Sequence, residues 1–263
     1  MLTKINDIQN NHAYSKVIPE LFANWEETII WSCLDGTMGD IYVKDTGDPV
    51  SAMAVLGDFC FFAGKPDPEL VGFDTEDRPD YLIMVPQTEE WGKLIEQAYS
   101  DRARKTVRYA IKKEPDIFDY ARLKSAVDSL DPSYSMKLID EELYHYCRAN
   151  LWSRCFVSLY PDYKTYKKLG LGVVILKDGE LVSGASSYST YREGIEIEID
   201  TREDYRRRGL AYACAAGLIL ECKKRGLYPS WDAQNKWSVA LAEKLGYHYD
   251  HEYTAYEVFC NRA

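Results

Sequence analysis

The stretch GIEIEIDTREDYRRRGLAYACAAG, residues 194–217, decides the fold. Its first part alternates strictly. Ile195, Ile197 and Ile199 fall on one side and Glu196, Glu198 and Asp200 on the other, the period-two pattern of a strand. Its second part is rich in alanine and reads as helix from about Gly209 to Arg225. Leu210, Cys214, Gly217, Leu218 and Cys222 form the apolar stripe, and Gly226 is the stop. Three arginines, Arg206, Arg207 and Arg208, stand between strand and helix, directly ahead of Gly209. A helix start carries unpaired N–H groups and the positive end of the dipole, so cations there repel it unless an anion joins them. A phosphate takes the N–H groups and the guanidiniums together. Gly209 and Ala211 leave the backbone bare enough for close approach. The plainer alternative is a solvated turn whose arginines pair with Glu203 and Asp204.

Working outward, LGVVILK (residues 171–177) and ELVSGASSYST (residues 180–190) read as strands joined by a tight turn at Asp178-Gly179. Downstream, Pro229 precedes a short strand, SWDA. Asn235 is placed to cap a second helix bearing Val239, Leu241 and Leu245, which stops at Gly246. EYTAYEVFC closes the chain as a final strand. The order predicts an α/β (α+β) fold, a mixed sheet flanked by helices.

The first half is also mixed α and β. The apolar runs at residues 51–62 and 81–85 look like strands joined by a loop rich in Pro and Asp. A helix follows Thr88, with Trp91, Leu94, Ile95, Ala98 and Tyr99 at helical spacing, and a basic helical region extends toward Pro115. Tyr144, Tyr146 and Trp152 lie in a further helical segment. Residues 128–135 form the best turn-rich boundary, giving an N-terminal unit of residues 1–128 and a C-terminal unit of residues 129–263.

The chain has 263 residues and a formal net charge of -10. That balance argues against nucleic acid as the main partner and suits a cationic substrate such as an amine. The N-terminus lacks an apolar signal core, and no apolar run reaches membrane-span length, so a cytoplasmic location away from membranes is expected. The cysteines are odd in number and form no CxxC pair, which predicts reduced thiols. The histidines make no metal-ligand pattern, and no metal is expected.

Arg206-x-x-Gly209-x-Ala211, followed by Asn235-x-x-Ser238-x-x-Leu241-x-x-Lys244-Leu245-Gly246-Tyr247, resembles the GNAT superfamily of acyl-CoA-dependent N-acetyltransferases. EIEIDT, RRRGLA, PSWDAQN and LAEKLGY look like the branch that includes zwittermicin A self-resistance acetyltransferases. The resemblance covers residues 165–260 and is diffuse before them, along MVPQTEEWGKLIE and RYAIKKE.

The resemblance implies a GNAT-like, mostly antiparallel sheet. The N-terminal half would be an acceptor-pocket unit or a degenerate second GNAT-like unit. Arg206, Arg207, Arg208, Gly209, Leu210 and Ala211 would cradle the pyrophosphate of acetyl-CoA. Ile199, Asp200 and Thr201 would pair with the pantetheine arm. Asn235 and Ser238 match positions that touch pantetheine or outgoing CoA, or else they serve as cap and first-turn hydroxyl. The reaction implied is direct attack of a small-molecule amine on the thioester, with Glu196, Glu198 or Asp232 as base. Many members carry a tyrosine acid where this chain has Ala242. Tyr247, Tyr249 or Tyr253 would replace it, or the thiolate would leave without a dedicated acid. A catalytically weak acyl-CoA-binding or regulatory module is the rival reading, and a homodimer is compatible with the sequence.

Overall fold

The computed structural model describes residues 2–5, 14–73 and 79–260. Contacts divide the chain into two units, Met1–Arg108 with Glu252–Ala263, and Tyr109–His251. No helix among the described residues is long and apolar enough to cross a membrane.

The first unit holds β1 (Thr3–Ile5), α1 (Val17–Leu21), α2 (Thr28–Asp35), β2 (Asp40–Val43), β3 (Ser51–Leu56), β4 (Phe59–Gly64), α3 (Pro68–Val71), β5 (Tyr81–Pro86) and α4 (Glu89–Tyr99). β1 to β4 pair antiparallel in sequence order, and β4 pairs parallel with β5. Trp91 and Ile95 of α4 pack on Met53, Phe62 and Met84, one apolar face against one sheet face.

Two expectations are corrected here. The apolar run at residues 51–62 is a hairpin, folded at Gly57 and Asp58 and paired from Ser51↔Gly64 to Leu56↔Phe59. The basic region before Pro115 is a strand, β6 (Ala103–Ile111). Its arginines and lysine resemble a solvated helix face. Thr106, Val107, Tyr109 and Ile111 favour extended chain, and Tyr109 and Ala110 are held by strand pairing.

The second unit begins inside β6. It continues with α5 (Tyr120–Asp128), β7 (Tyr134–Leu138), α6 (Glu141–Ala149), α7 (Tyr163–Leu169), β8 (Gly172–Lys177), β9 (Glu180–Tyr191) and β10 (Gly194–Thr201). Then come α8 (Leu210–Arg225), β11 (Tyr228–Ser230), β12 (Asp232–Ala233), α9 (Lys236–Leu245) and the start of β13 (Tyr249–Phe259), which from Glu252 onward belongs to the first unit. The sheet order is β11-β10-β9-β8-β7, antiparallel except for β10 with β11. β7 was not expected from the sequence: Tyr134, Met136 and Leu138 alternate with Ser135 and Lys137, but the run is short and starts inside the turn-rich stretch.

α8 lies on this sheet. Leu210, Cys214, Leu218 and Cys222 are buried against Ile175, Val182 and Ile195. A Cβ on Gly217 would stand 2.8 Å from Met136 Sδ and 3.3 Å from Val173 Cγ1, so glycine permits the close approach of helix to sheet. α5 packs on α8, and this is why the contacts do not divide the chain at residues 128 and 129. Within the first unit, Tyr256, Glu257, Val258 and Phe259 of β13 pair antiparallel with β5.

One topological detail opens the molecule. β10 and β11 pair only at Gly194↔Tyr228, Ile195↔Pro229 and Glu196↔Ser230. The chain then turns away, and Asp232 and Ala233 of β12 pair with Ala110 and Tyr109. From Ile197 to Thr201, β10 keeps β9 on one edge and, among the described residues, has no strand on the other.

Candidate active site

At the end of that half-open strand the chain makes a short 3-10 turn, Glu203–Tyr205, and enters α8. Gly209 stands at the N-cap with φ 79°, in the left-handed region, and no side chain caps the helix. A Cβ there would meet open space. The glycine is therefore required by backbone conformation and not by crowding. Leu210, buried, anchors the first turn in the core. The N–H groups of that turn are left for a ligand or solvent.

The arginines divide their tasks. Arg202 bonds Asp204 at 2.8 Å and Glu180 at 2.9 Å. Arg208 donates to the Asp204 main-chain oxygen at 2.9 Å. The Arg202 and Arg208 guanidiniums lie 4.6 and 4.7 Å from the centre of the Tyr205 ring. Arg206 donates to the Thr201 carbonyl at 3.1 Å and stands 3.5 Å from Asp200. Arg207 has φ 62° and, among the described residues, no carboxylate partner. The plainer alternative thus holds in part: Asp204 is an arginine partner, but of Arg202 and Arg208.

A cleft of about 380 Å³ opens between the end of β10, this turn and α9. It is lined by Ile199, Asp200 and Thr201, and by Arg206, Arg207, Gly209, Leu210 and Ala211. These eight residues singled out from sequence therefore share one cavity. Tyr205, Tyr212, Leu241 and Lys244 also line it and were not among them. Leu241 and Lys244 stand three apart on α9, so the helical spacing could have placed them on one face.

Arg208, Asn235 and Ser238 lie outside the lining. Asn235 Oδ1 accepts the Ser238 N–H at 3.0 Å, which makes it the N-cap of α9. Ser238 Oγ accepts the Trp231 indole N–H at 3.0 Å.

The proton-transfer candidates separate by environment. Glu196 is only 7% exposed and sits where β10 is paired on both edges, opposite Ser189 and Ser230. Burial, with the charges of Glu114 and then Glu196 adding to it, pushes the Tyr228 hydroxyl up to about 12. Glu198 is half-buried on the stretch with one free edge. Asp232 is half-buried on β12, opposite Ala110. Cys155 packs beside this strand, and burial pushes its thiol well up, with Glu198 and Asp200 adding to the effect.

Tyr247 does not fit the role expected of it. It is buried, edge-on to Phe118 at 4.9 Å between ring centres, and its hydroxyl donates to the Pro229 carbonyl at 2.6 Å. Burial raises that hydroxyl well above its ordinary value. A proton so committed is held in the core. Ala242 is fully buried, Tyr249 is exposed at the start of β13, and Tyr253 belongs to the other unit. His248 and His251 hold separate carboxylates, Glu114 at 2.6 Å and Asp250 at 2.9 Å.

Comparison with known proteins bears on the whole arrangement. A crystal structure of a GCN5-related N-acetyltransferase-like protein from Streptococcus suis 89/1591 matches with a TM-score of 0.87 and 53% identity, covering 92% of this chain and 96% of that one. The uncharacterized N-acetyltransferase YdfB of Bacillus subtilis (strain 168) is 27% identical over 240 residues, 87% of this chain and 89% of the relative. A tandem GNAT protein from the clavulanic acid biosynthesis pathway shares the fold at a TM-score of 0.55 and 11% identity, over 100% of this chain and 99% of that one. Its tandem build fits the two-unit arrangement seen here. The GNAT acetyltransferase family model matches residues 19–256, so the match takes in both units, and the chain belongs to the GNAT acetyltransferase family.

Proposed function

We propose that this N-acetyltransferase moves an acetyl group from acetyl-CoA to the primary amine of a small molecule, by direct attack with both substrates bound. GNAT acetyltransferases use acetyl-CoA as cosubstrate, and it supplies an acyl group activated as a thioester. The observation that carries the reading is the junction of a half-open strand with an uncapped helix in one cleft. The bare N–H groups of α8, with Arg207 beside them, suit a diphosphate, and Arg206 holds the turn to the end of β10. The free edge of β10 through Ile199, Asp200 and Thr201 suits the amides of a pantetheine arm. A main-chain N–H of that edge would polarise the thioester carbonyl.

Glu198 takes the ammonium proton of the acceptor in this account. It is half-buried where β10 has lost one neighbour, whereas Glu196 lies buried between two paired strands. Cys155, the thiol beside Glu198, is unsuited to a covalent route, since burial and two carboxylates disfavour its thiolate. No cleft tyrosine is set up as a proton donor. Tyr205 lies between two guanidiniums and Tyr212 beneath Lys244. Departure of the thiolate therefore relies on the ordinary acidity of a thiol, with a pKa of about 8.5.

The first unit is a degenerate second GNAT-like unit in this proposal, supported by its own strand, crossover helix and parallel strand. The catalytically weak binding module remains the second reading, favoured by Ala242 and the buried Tyr247 hydroxyl. Acetyl-CoA turnover across a panel of polyamines, amino sugars and amine antibiotics separates them. Turnover with an acceptor supports the enzyme reading; tight CoA binding without turnover across the panel supports the other.

A further inference from the structure

α9 forms the cleft wall that the arginine turn does not. Leu241 and Lys244 reach the lining from it. The Lys244 ammonium lies 4.4 Å from the centre of the Tyr212 ring, and Tyr212 is itself a cleft residue from the first turn of α8. This cation–π contact aims a long, flexible side chain across the cleft mouth. Among the described residues Lys244 has no carboxylate partner. The nearby basic groups are committed: Arg202 to Asp204 and Glu180, Arg208 to the Asp204 carbonyl, Arg206 to Thr201 and Asp200. Lys244 and Arg207 are thus two unneutralised cations lining one cavity of a chain with net charge -10. Such a pair, facing an uncapped helix start, concentrates positive potential at one place in a chain that is acidic in sum.

We propose that Lys244, steered by Tyr212, is a phosphate-binding residue of this cleft and acts with Arg207 on the nucleotide end of coenzyme A. The inference rests on the reading of the cleft as the coenzyme site. It adds a contact on α9 that Arg206-x-x-Gly209-x-Ala211 does not supply. Lysine suits the task as a compact, mobile charge that adapts to a phosphate without a fixed fork geometry.

The test is calorimetric titration of the full chain and of Lys244→Met with coenzyme A, with coenzyme A lacking its 3′-phosphate, and with pantetheine. Lys244→Met should weaken coenzyme A binding roughly tenfold and leave pantetheine binding unchanged. Lys244→Arg should restore most of the loss. Persistence of the loss on the ligand lacking the 3′-phosphate assigns Lys244 to the diphosphate, and its disappearance assigns Lys244 to the 3′-phosphate. Wild-type affinity in Lys244→Met, or an equal loss on pantetheine, overturns the assignment. Failure of the unsubstituted chain to bind coenzyme A overturns the coenzyme reading itself, and this inference with it. Lys244 is exposed, and an unchanged melting temperature confirms that the variant is folded.

Discussion

Each unit contains one parallel strand pair joined by a helical crossover, and only one of the two crossovers makes a cleft. In the first unit β4 and β5 stay paired from Phe59↔Ile83 to Phe62↔Pro86. The crossover helix there, α3, has four residues, and the Asp67 carboxylate caps it by accepting the Glu69 N–H at 2.8 Å. Lys44 neutralises Asp67 and Glu69 at 3.4 and 2.6 Å. In the second unit β10 and β11 part after Glu196↔Ser230, α8 runs for 16 residues, and its N-cap is a bare glycine. The first crossover fills its helix start with a carboxylate. The second leaves the same kind of position empty, with cations nearby. A site arises here by withholding partners from backbone groups that the fold could have satisfied.

The strongest way to break the contrast is to give the second crossover the first one's cap. Gly209→Asp places a carboxylate at the start of α8, at a φ that aspartate adopts more readily than most residues. Acetyl-CoA affinity should fall by about a hundredfold or more, by like-charge repulsion and by filling the N–H groups. Gly209→Ala, which adds backbone strain without charge, should cost less, with the acetyl-CoA KM rising far more than the acceptor KM. Equal affinity in Gly209→Asp would remove the turn from the cofactor site.

Next in size is the effect on chemistry. Glu198→Gln should lower kcat by about a hundredfold or more while leaving CoA affinity unchanged. Glu196→Gln and Asp232→Asn should each cost less than about tenfold in kcat. A larger loss in Glu196→Gln than in Glu198→Gln, measured by stopped thiol-release assays, would move the base to the fully paired part of β10.

These contrasts were unevenly legible in the sequence. The β10–α8 junction was clear, because strict alternation, an Ala-rich helix and Gly209 are local signals. The turn at Asp178-Gly179 was equally plain, and both residues take positive φ, 52° and 85°. The cap at Asn235 and the stop at Gly246 also stood in the sequence. The hairpin at Gly57 and Asp58 has a local signal, a Gly-Asp pair between two apolar runs, but both arms are apolar on both faces and read as one continuous run. β6 is hard to read locally because its strand character depends on partners distant in sequence, β12 on one edge and β13 on the other. The same non-locality concealed the parting of β10 from β11. Tyr247 looked available by motif position, yet Phe118 and Trp231 enclose it. Lys244 entered the cleft only through the packing of α9 near Tyr212.

Smaller effects test the first crossover and the frame around it. Asp67→Asn keeps a cap-competent side chain and should change stability by no more than about 1 kcal/mol, with CoA affinity untouched. A loss of CoA binding in that variant would give the first unit a role in the cofactor site. Smallest is a pH effect at Asp162, which caps α7 by accepting the Thr165 N–H at 2.7 Å. That hydrogen bond, reinforced by the Thr165 hydroxyl, holds the Asp162 carboxyl below its usual range. A folded-state pKa that is depressed contributes stability above the unfolded value, about 3.9, and loses it as pH falls through the folded value. Wild type should therefore melt slightly above Asp162→Asn at pH 6. The gap should narrow as pH falls below the unfolded value and close once the folded carboxyl is protonated. A gap that stays constant with pH would assign the difference to something other than this carboxylate.

The central claim is that the two crossovers differ as cofactor sites and that only the uncapped one works. Isothermal titration of the full chain with acetyl-CoA tests this most directly. The account predicts one molecule bound per chain and none detectable in Gly209→Asp. Two molecules per chain, or full binding retained in Gly209→Asp, would contradict it.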